Sequence, residues 1–182
     1  RMEKKPKIRN GSTAVASTAT VAVTPRRWSD LWLSEGFATY LAAVYTQRTR
    51  GDSAFRAELR AMRETIIAAP VVANRPVVDS VGADAPLTLL NANSYQKGGF
   101  VLHMLRQIVG DGAFSRALTA MQRDHRFGKV GTEQLRAALE RESGQALAPY
   151  FREWVYGTAL PELRVSRRTT AQGDAFTTAV RI

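Results

Sequence analysis

Residues 28–40 read WSDLWLSEGFATY, with Glu35 at their centre. Leu31, Trp32, Leu33, Phe37, Ala38, Leu41 and Tyr45 recur at the three- and four-residue spacing that collects side chains on one face of a helix. Ser29 or Asp30 is suited to cap that helix, because a short polar side chain there accepts a hydrogen bond from an otherwise orphaned backbone N–H. Glu35 stands inside the apolar set, one turn after Leu31 and Trp32 and one turn before Ala38 and Thr39. A carboxylate in that position needs a partner, because burying its charge unpaired is too costly. An arginine or a helix N-terminus would be the ordinary partner; a metal ion would make it chemistry.

Working outward, Thr24–Arg27 reads as a loop, since Pro25 biases its predecessor away from helix. The organising helix runs to about Arg48 and Gly51 stops it. Asp52 is expected to cap a second helix to about Ala68, with Phe55, Leu59, Met62, Ile66 and Ile67 inward and Pro70 as its end. Val71–Asn93, with Pro76, Gly82 and Pro86, reads as a long loop with a short helix near Leu87–Leu90. Long irregular segments inside compact domains are often functional, and this one delivers Tyr95. A strongly apolar helix follows, from Tyr95 or Lys97 to Val109, through Phe100, Val101, Leu102, Met104, Leu105, Ile108 and Val109. Gly110 closes it and Asp111 caps the next, which runs to about Asp124. Thr132 is expected to cap a helix to Ser143 ended by Gly144, and Leu147–Val155 forms the last one. Beyond Pro161 the period changes: Leu163, Val165, Phe176, Ala179 and Ile182 suggest two strands around a turn at Gln172–Asp174.

Two stretches of this chain resemble motifs of one enzyme family. Trp28–Tyr40 is similar to the W-x-D-L-W-L-N-E-G-F-A-x-Y segment of the aminopeptidase N-like zinc peptidases, the gluzincin aminopeptidases. Ser94–Gly99, SYQKGG, is similar to their S-Y-x-K-G-G. The helical run after it resembles the second half of their catalytic domain, with E-x-x-S-G at Glu140–Gly144 and F-x-x-W at Phe151–Trp154, so the resemblance spans roughly Ala22–Pro161. It implies a mainly α fold, the helical C-terminal half of a thermolysin-like (gluzincin) catalytic domain followed by a short β-hairpin. It implies zinc as the metal, Glu35 as the third zinc ligand, and Tyr95 as a catalytic phenol that polarises the scissile carbonyl. A peptide is the implied substrate, and the missing N-terminal part of the same protein the implied partner. The expected organisation is residues 1–23 as a basic tail and a small-residue segment in place of the zinc-binding helix, 24–161 as the helical part, and 162–182 as the hairpin.

The resemblance also exposes a gap. The family's first two zinc ligands are the histidines of H-E-x-x-H, an i, i+4 pair on one helix face. Counting back from Glu35 puts those positions at Ser12 and Ala16, with the catalytic Glu at Thr13. A hydroxyl or a methyl does not bind zinc usefully, and threonine is no general base at neutral pH. Gly11–Val23 contains only Gly, Ser, Thr, Ala and Val, and reads equally as a linker, a strand or a poor helix. Either a degenerate site or an altered segment stands there. His103, with no second imidazole one turn away, reads as a hydrogen-bonded core or boundary residue, and His125 as a solvated one.

Composition sets outer bounds. The 182 residues suffice for one domain with a real core or for part of a larger one. There is no cysteine, which excludes disulfides and thiolate metal sites and leaves cytoplasmic and secreted locations both open. No apolar run approaches a membrane span. The readings are therefore an aminopeptidase inactive as this chain, a non-catalytic pseudopeptidase acting as a binding module, and a basic nucleic-acid-binding domain. The net charge of +10 raises the last, but the arginines are spread over every helix without interleaved aromatics, as on a solvated surface. A random DNA duplex titrated with the protein at low salt should show no steeply salt-dependent binding; a steep dependence would make the charge a nucleic-acid footprint.

Overall fold

The computed structural model describes residues 23–158, 160 and 164–181. Residues 1–22, with Ser12, Thr13 and Ala16, lie outside them, as do Leu163 and Ile182. Seven helices follow in chain order: α1 (Trp32–Arg50), α2 (Asp52–Ala68), α3 (Pro70–Asn74), α4 (Gly98–Val109), α5 (Asp111–Asp124), α6 (Thr132–Ser143) and α7 (Ala148–Trp154). Two strand pairs complete the fold. β1 (Val23–Pro25) lies parallel to β2 (Gly128–Val130), with Val23 opposite Gly128. β3 (Ser166–Gln172) lies antiparallel to β4 (Ala175–Arg181), with Ser166 opposite Arg181. The mainly helical class and the terminal hairpin are both as expected.

The helix junctions follow from glycine. Gly51 and Gly110 have φ of +86° and +81°, a left-handed backbone that costs glycine little, so α1 and α4 each end there and the next helix starts at once. The caps differ from expectation at four places. Gly51, Gly110 and Gly131 hold the cap positions, and Asp52, Asp111 and Thr132 are the first helical residues, their side chains engaged elsewhere. Asp52 accepts a bond from Gln47 Nε2 at 2.8 Å, and Asp111 takes a two-pronged ion pair from Arg106 at 2.7 and 2.9 Å. Neither Ser29 nor Asp30 caps α1, which is entered through a 3-10 turn at Trp28–Asp30.

Asp30 has a longer-range task. It is buried, and its Oδ1 accepts the Thr132 backbone N–H at 2.9 Å and the Thr132 hydroxyl at 2.7 Å. Trp32 Nε1 in turn donates to Thr132 Oγ1 at 2.9 Å. A carboxylate is favoured at the N-terminus of α6, where backbone N–H groups lack helical partners. The latch ties the start of α1 to the start of α6 across the chain.

One apolar core runs through the helices, from Trp32 and Tyr40 of α1 through Leu102 and Leu105 of α4 to Leu135 and Leu139 of α6 and Phe151 of α7. Ile67 is a correction to the inward set of α2: it is 68% exposed, because Ile66 takes the core side of that helix. Pro70 does not simply end α2; it opens the one-turn α3, where its missing N–H costs nothing.

α1 and α4 approach each other closely at two glycines. A Cβ built on Gly36 would lie 2.9 Å from the carbonyl carbon of Gly98, and one on Gly98 would lie 3.3 Å from Gly36 Cα. The two backbones touch, and only glycine permits it. Gly36→Ala should destabilise the fold by about 2–3 kcal/mol through overpacking. Gly112→Ala should be neutral or stabilising, since its Cβ meets only the flexible end of Arg116 at 3.4 Å and alanine favours the helix. Urea denaturation midpoints of the two variants check the contrast.

Candidate active site

Glu35 lies one residue before the Gly36 contact, on the first turn of α1, and is half-buried. Its backbone N–H bonds Leu31 O at 3.2 Å, and its carbonyl accepts the Thr39 hydroxyl at 2.7 Å. Both residues expected in the site are brought together: the Glu35 carboxylate lies close enough to the Tyr95 phenol to raise its pKa. Among the described residues no Arg or Lys forms an ion pair with Glu35.

Tyr95 is presented by a wide turn. Asn93–Lys97 forms a single π turn that runs straight into α4, with Lys97 N bonded to Ala92 O at 2.8 Å. Such turns cost helical regularity and recur at functional sites. Local side chains hold it. Asn93 Nδ2 donates to Val71 O at 3.1 Å and Arg75 O at 2.9 Å, which docks the turn on α3. Asn93 N bonds Asn91 Oδ1 at 2.8 Å, and the Ser94 hydroxyl bonds Leu89 O. The preceding loop is pinned by the Arg75–Asp79 ion pair at 2.7 Å and by Gly82 N on Asp79 Oδ1 at 2.9 Å. The 3-10 turns Gly82–Asp84 and Pro86–Leu89 lie within this loop, the second where a short helix was expected.

The phenol of Tyr95 holds its proton more tightly than an ordinary tyrosine, first because of burial and then because of the Glu35 carboxylate beside it. Tyr95 is therefore a hydrogen-bond donor throughout the neutral range. One protonated phenol and one carboxylate lie side by side next to the α1–α4 contact.

The donor set falls short of a zinc site. Among the described residues no three His, Cys, Asp or Glu lie together so as to hold a metal ion. Catalytic zinc takes three protein ligands, and of the described residues Glu35 alone could offer at most one. The histidines do not join it. His103 packs edge-on among Tyr40, Phe55 and Phe100, with ring centroids 5.6–5.9 Å away, and its Nδ1 is 3.5 Å from the Tyr40 hydroxyl. Burial and the nearby Arg106 charge keep it less basic than a free imidazole. His125 ends α5 and is half-buried rather than fully solvated.

Sequence reasoning missed the residues that build this arrangement. Gly36 and Gly98 were passed over as motif letters, although glycines flanking a candidate site in two separate helices are a sign of close backbone approach. In the sequence Asn93 reads only as the end of the loop and Lys97 only as a possible helix start.

Comparison with known proteins agrees with the geometry. A peptidase family M1 domain model matches residues 21–154. Aminopeptidase N of Streptomyces lividans is 30% identical over 169 residues, covering 87% of this chain and 19% of that protein. An M1 zinc metallopeptidase from Deinococcus radiodurans superposes with a TM-score of 0.63 at 29% identity, over 75% of this chain and 29% of its own. Legionella pneumophila aminopeptidase A, solved with aspartic acid, shares the fold with a TM-score of 0.68 at 22% identity, over 88% and 18% of the two chains. This chain spans less than a fifth of the length of the curated relatives it matches.

Glu35→Gln should lower the Tyr95 pKa toward the ordinary value of about 10. It should not bring it all the way, because burial, the larger cause, remains. The folded state binds the phenolic proton more tightly than the unfolded chain. Its contribution to stability is complete below the ordinary tyrosine pKa and is lost as pH rises through the folded one. Tyrosine-ring carbon NMR across an alkaline titration reads the shift; an unchanged Tyr95 curve in Glu35→Gln would separate the two residues.

Proposed function

Because this chain belongs to peptidase family M1, we propose that it is part of the catalytic domain of a zinc aminopeptidase and is inactive as the chain stands. The observation that carries the reading is the Glu35–Tyr95 pair set beside the Gly36–Gly98 contact. In this reading Glu35 is the carboxylate ligand of a catalytic zinc, and Tyr95 donates a hydrogen bond to the oxygen that gains charge when a peptide carbonyl is attacked. When bound, the metal would activate water and polarise that carbonyl. The described residues do not fit the metal alone, so no step is assigned to it here.

The same donor set supports the inactivity. Ser12, Thr13 and Ala16 stand at the positions of the two imidazoles and the catalytic carboxylate, counted from Glu35. Activity, a peptide substrate and removal of an N-terminal residue rest on the family and on relatives named aminopeptidases.

A second reading is favoured by the same contrast. The Gly36–Gly98 contact and the Glu35–Tyr95 pair are kept while positions 12, 13 and 16 carry no ligand. A pseudopeptidase that uses the fold as a binding module would have that combination.

Calorimetric titration with zinc should show no tight site, and an aminoacyl reporter should not be hydrolysed. Tight binding or clear turnover by this chain would overturn the inactivity. Ser12→His with Thr13→Glu and Ala16→His should create a zinc affinity that an added Glu35→Gln removes, which tests the ligand role directly.

A further inference from the structure

β3 and β4 form a sheet of two strands, with no third strand on either side among the described residues. Every residue of β4 is exposed, and so are residues 166–171 of β3. A lone two-stranded ribbon is at best marginally stable in water, because neither face packs on a core and both outer edges leave backbone N–H and C=O groups unpaired. The two edges differ in charge. β3 carries Arg167 and Arg168 next to each other, the kind of charged edge that turns further strands away. β4 has no charged residue and no proline between positions 175 and 180, and Arg181 only at its end, so its edge is open to another strand.

The register points to what that strand is. On one face of the ribbon Arg167 lies opposite Val180, Thr169 opposite Thr178 and Ala171 opposite Phe176, with the two threonine hydroxyls 3.0 Å apart. Phe176 and Val180 are 76% and 59% exposed, and they stand two places either side of Thr178. An antiparallel copy of β4, laid along the open edge with Thr178 opposite Thr178, sets each Phe176 against the other copy's Val180. Aromatic and β-branched side chains facing each other across strands are a favourable pair. The arginines then fall apart: Arg181 meets Ala175, each Arg167 lies on an outer strand, and no arginine faces another. A one-residue slip would put Phe176 opposite Ala179 and split the apolar set between two faces. β4 is therefore complementary to itself in one register.

We propose that the outer edge of β4 is a self-pairing surface, on which two copies of this chain join about a two-fold axis through Thr178 into one four-stranded sheet. A two-fold contact of this kind closes on itself and does not grow into a fibre. One strand edge is small beside the about 1,200–2,000 Å² of a standard stable interface, so the pair is weak and forms at high concentration. Each copy carries a net charge of +10, so salt that screens the repulsion strengthens the pair. Zinc, turnover and the peptidase reading play no part in it.

Sedimentation of the unaltered chain from about 10 μM to about 1 mM reads the association. The average mass should rise from 20.0 kDa toward twice that value, and further at higher salt. Thr178→Lys and Thr178→Glu each set like charges face to face at the axis, so each variant alone should keep the single-chain mass at every concentration. An equal mixture of the two sets opposite charges there and should recover the paired mass. Helical circular dichroism should be unchanged in both, since Thr178 is exposed and lies outside the helical core. An unaltered chain that keeps one mass throughout would leave the edge to a strand of another protein and overturn the proposal. So would association that persists in both variants, which would put the contact on another surface, or a mixture that stays single. A further measurement needs no variant to fold: amide exchange along β4 of the unaltered chain should slow by about tenfold between the two concentrations, and unchanged exchange would overturn the pairing.

Discussion

Backbone contact between Gly36 and Gly98 is the constraint on which the site depends. It sets the separation of α1 and α4 at a value no other residue pair would allow. Glu35 precedes one glycine directly, and Tyr95 precedes the other by three residues. A wider spacing would carry the carboxylate and the phenol apart, because each is tied by the chain to its own side of the contact. Gly99 extends the seam, with its Cβ position 3.2 Å from Thr39 Cγ2. Thr39 also bonds the Glu35 carbonyl, so packing and hydrogen bonding meet on the same turn.

Around that seam the fold uses polar latches where apolar packing alone would not select a register. Asp30 bonds Thr132 and Trp32 bonds the same hydroxyl, which orients α1 against α6. Asn93 docks the π turn on the carbonyls of Val71 and Arg75. Tyr150 donates to Val101 O at 2.9 Å, joining α7 to α4. Each bond is buried or partly buried and satisfies a group that would otherwise be costly to remove from water. A side-chain bond of this sort is worth little against water but much against a misregistered core, which is how a helical domain keeps one arrangement. The loop between α3 and the π turn, rich in proline and glycine, is held by such latches rather than by a core of its own.

Family membership and chemistry part company in this chain. The match to the M1 domain covers residues 21–154, and the helices, the glycine seam and the carboxylate–phenol pair all follow it. Zinc chemistry needs more donors than these helices contribute. Among the described residues a protonated phenol lies beside a carboxylate that no cationic side chain pairs with.

Periodicity and punctuation determined most of the fold. The spacing of Trp32, Leu33 and Phe37 announces α1, glycines at 51, 110 and 144 mark helix ends, and the change of period beyond Pro161 marks the hairpin. These are local signals, set by backbone sterics and the helical repeat. The motifs around Glu35 and Tyr95 single out the two candidate residues from the sequence. What they could not supply was reach. Asp30 looks like a cap for the helix that follows it, yet it serves a helix a hundred residues away, because only folding brings Thr132 to it. Ile67 looks as inward as its neighbours, since periodicity finds a face but not its edge. The pairing of Glu35 with Tyr95, the touching glycines and the buried partners of the π turn belong to tertiary structure alone, because each requires two segments of chain to be packed against one another before the interaction exists.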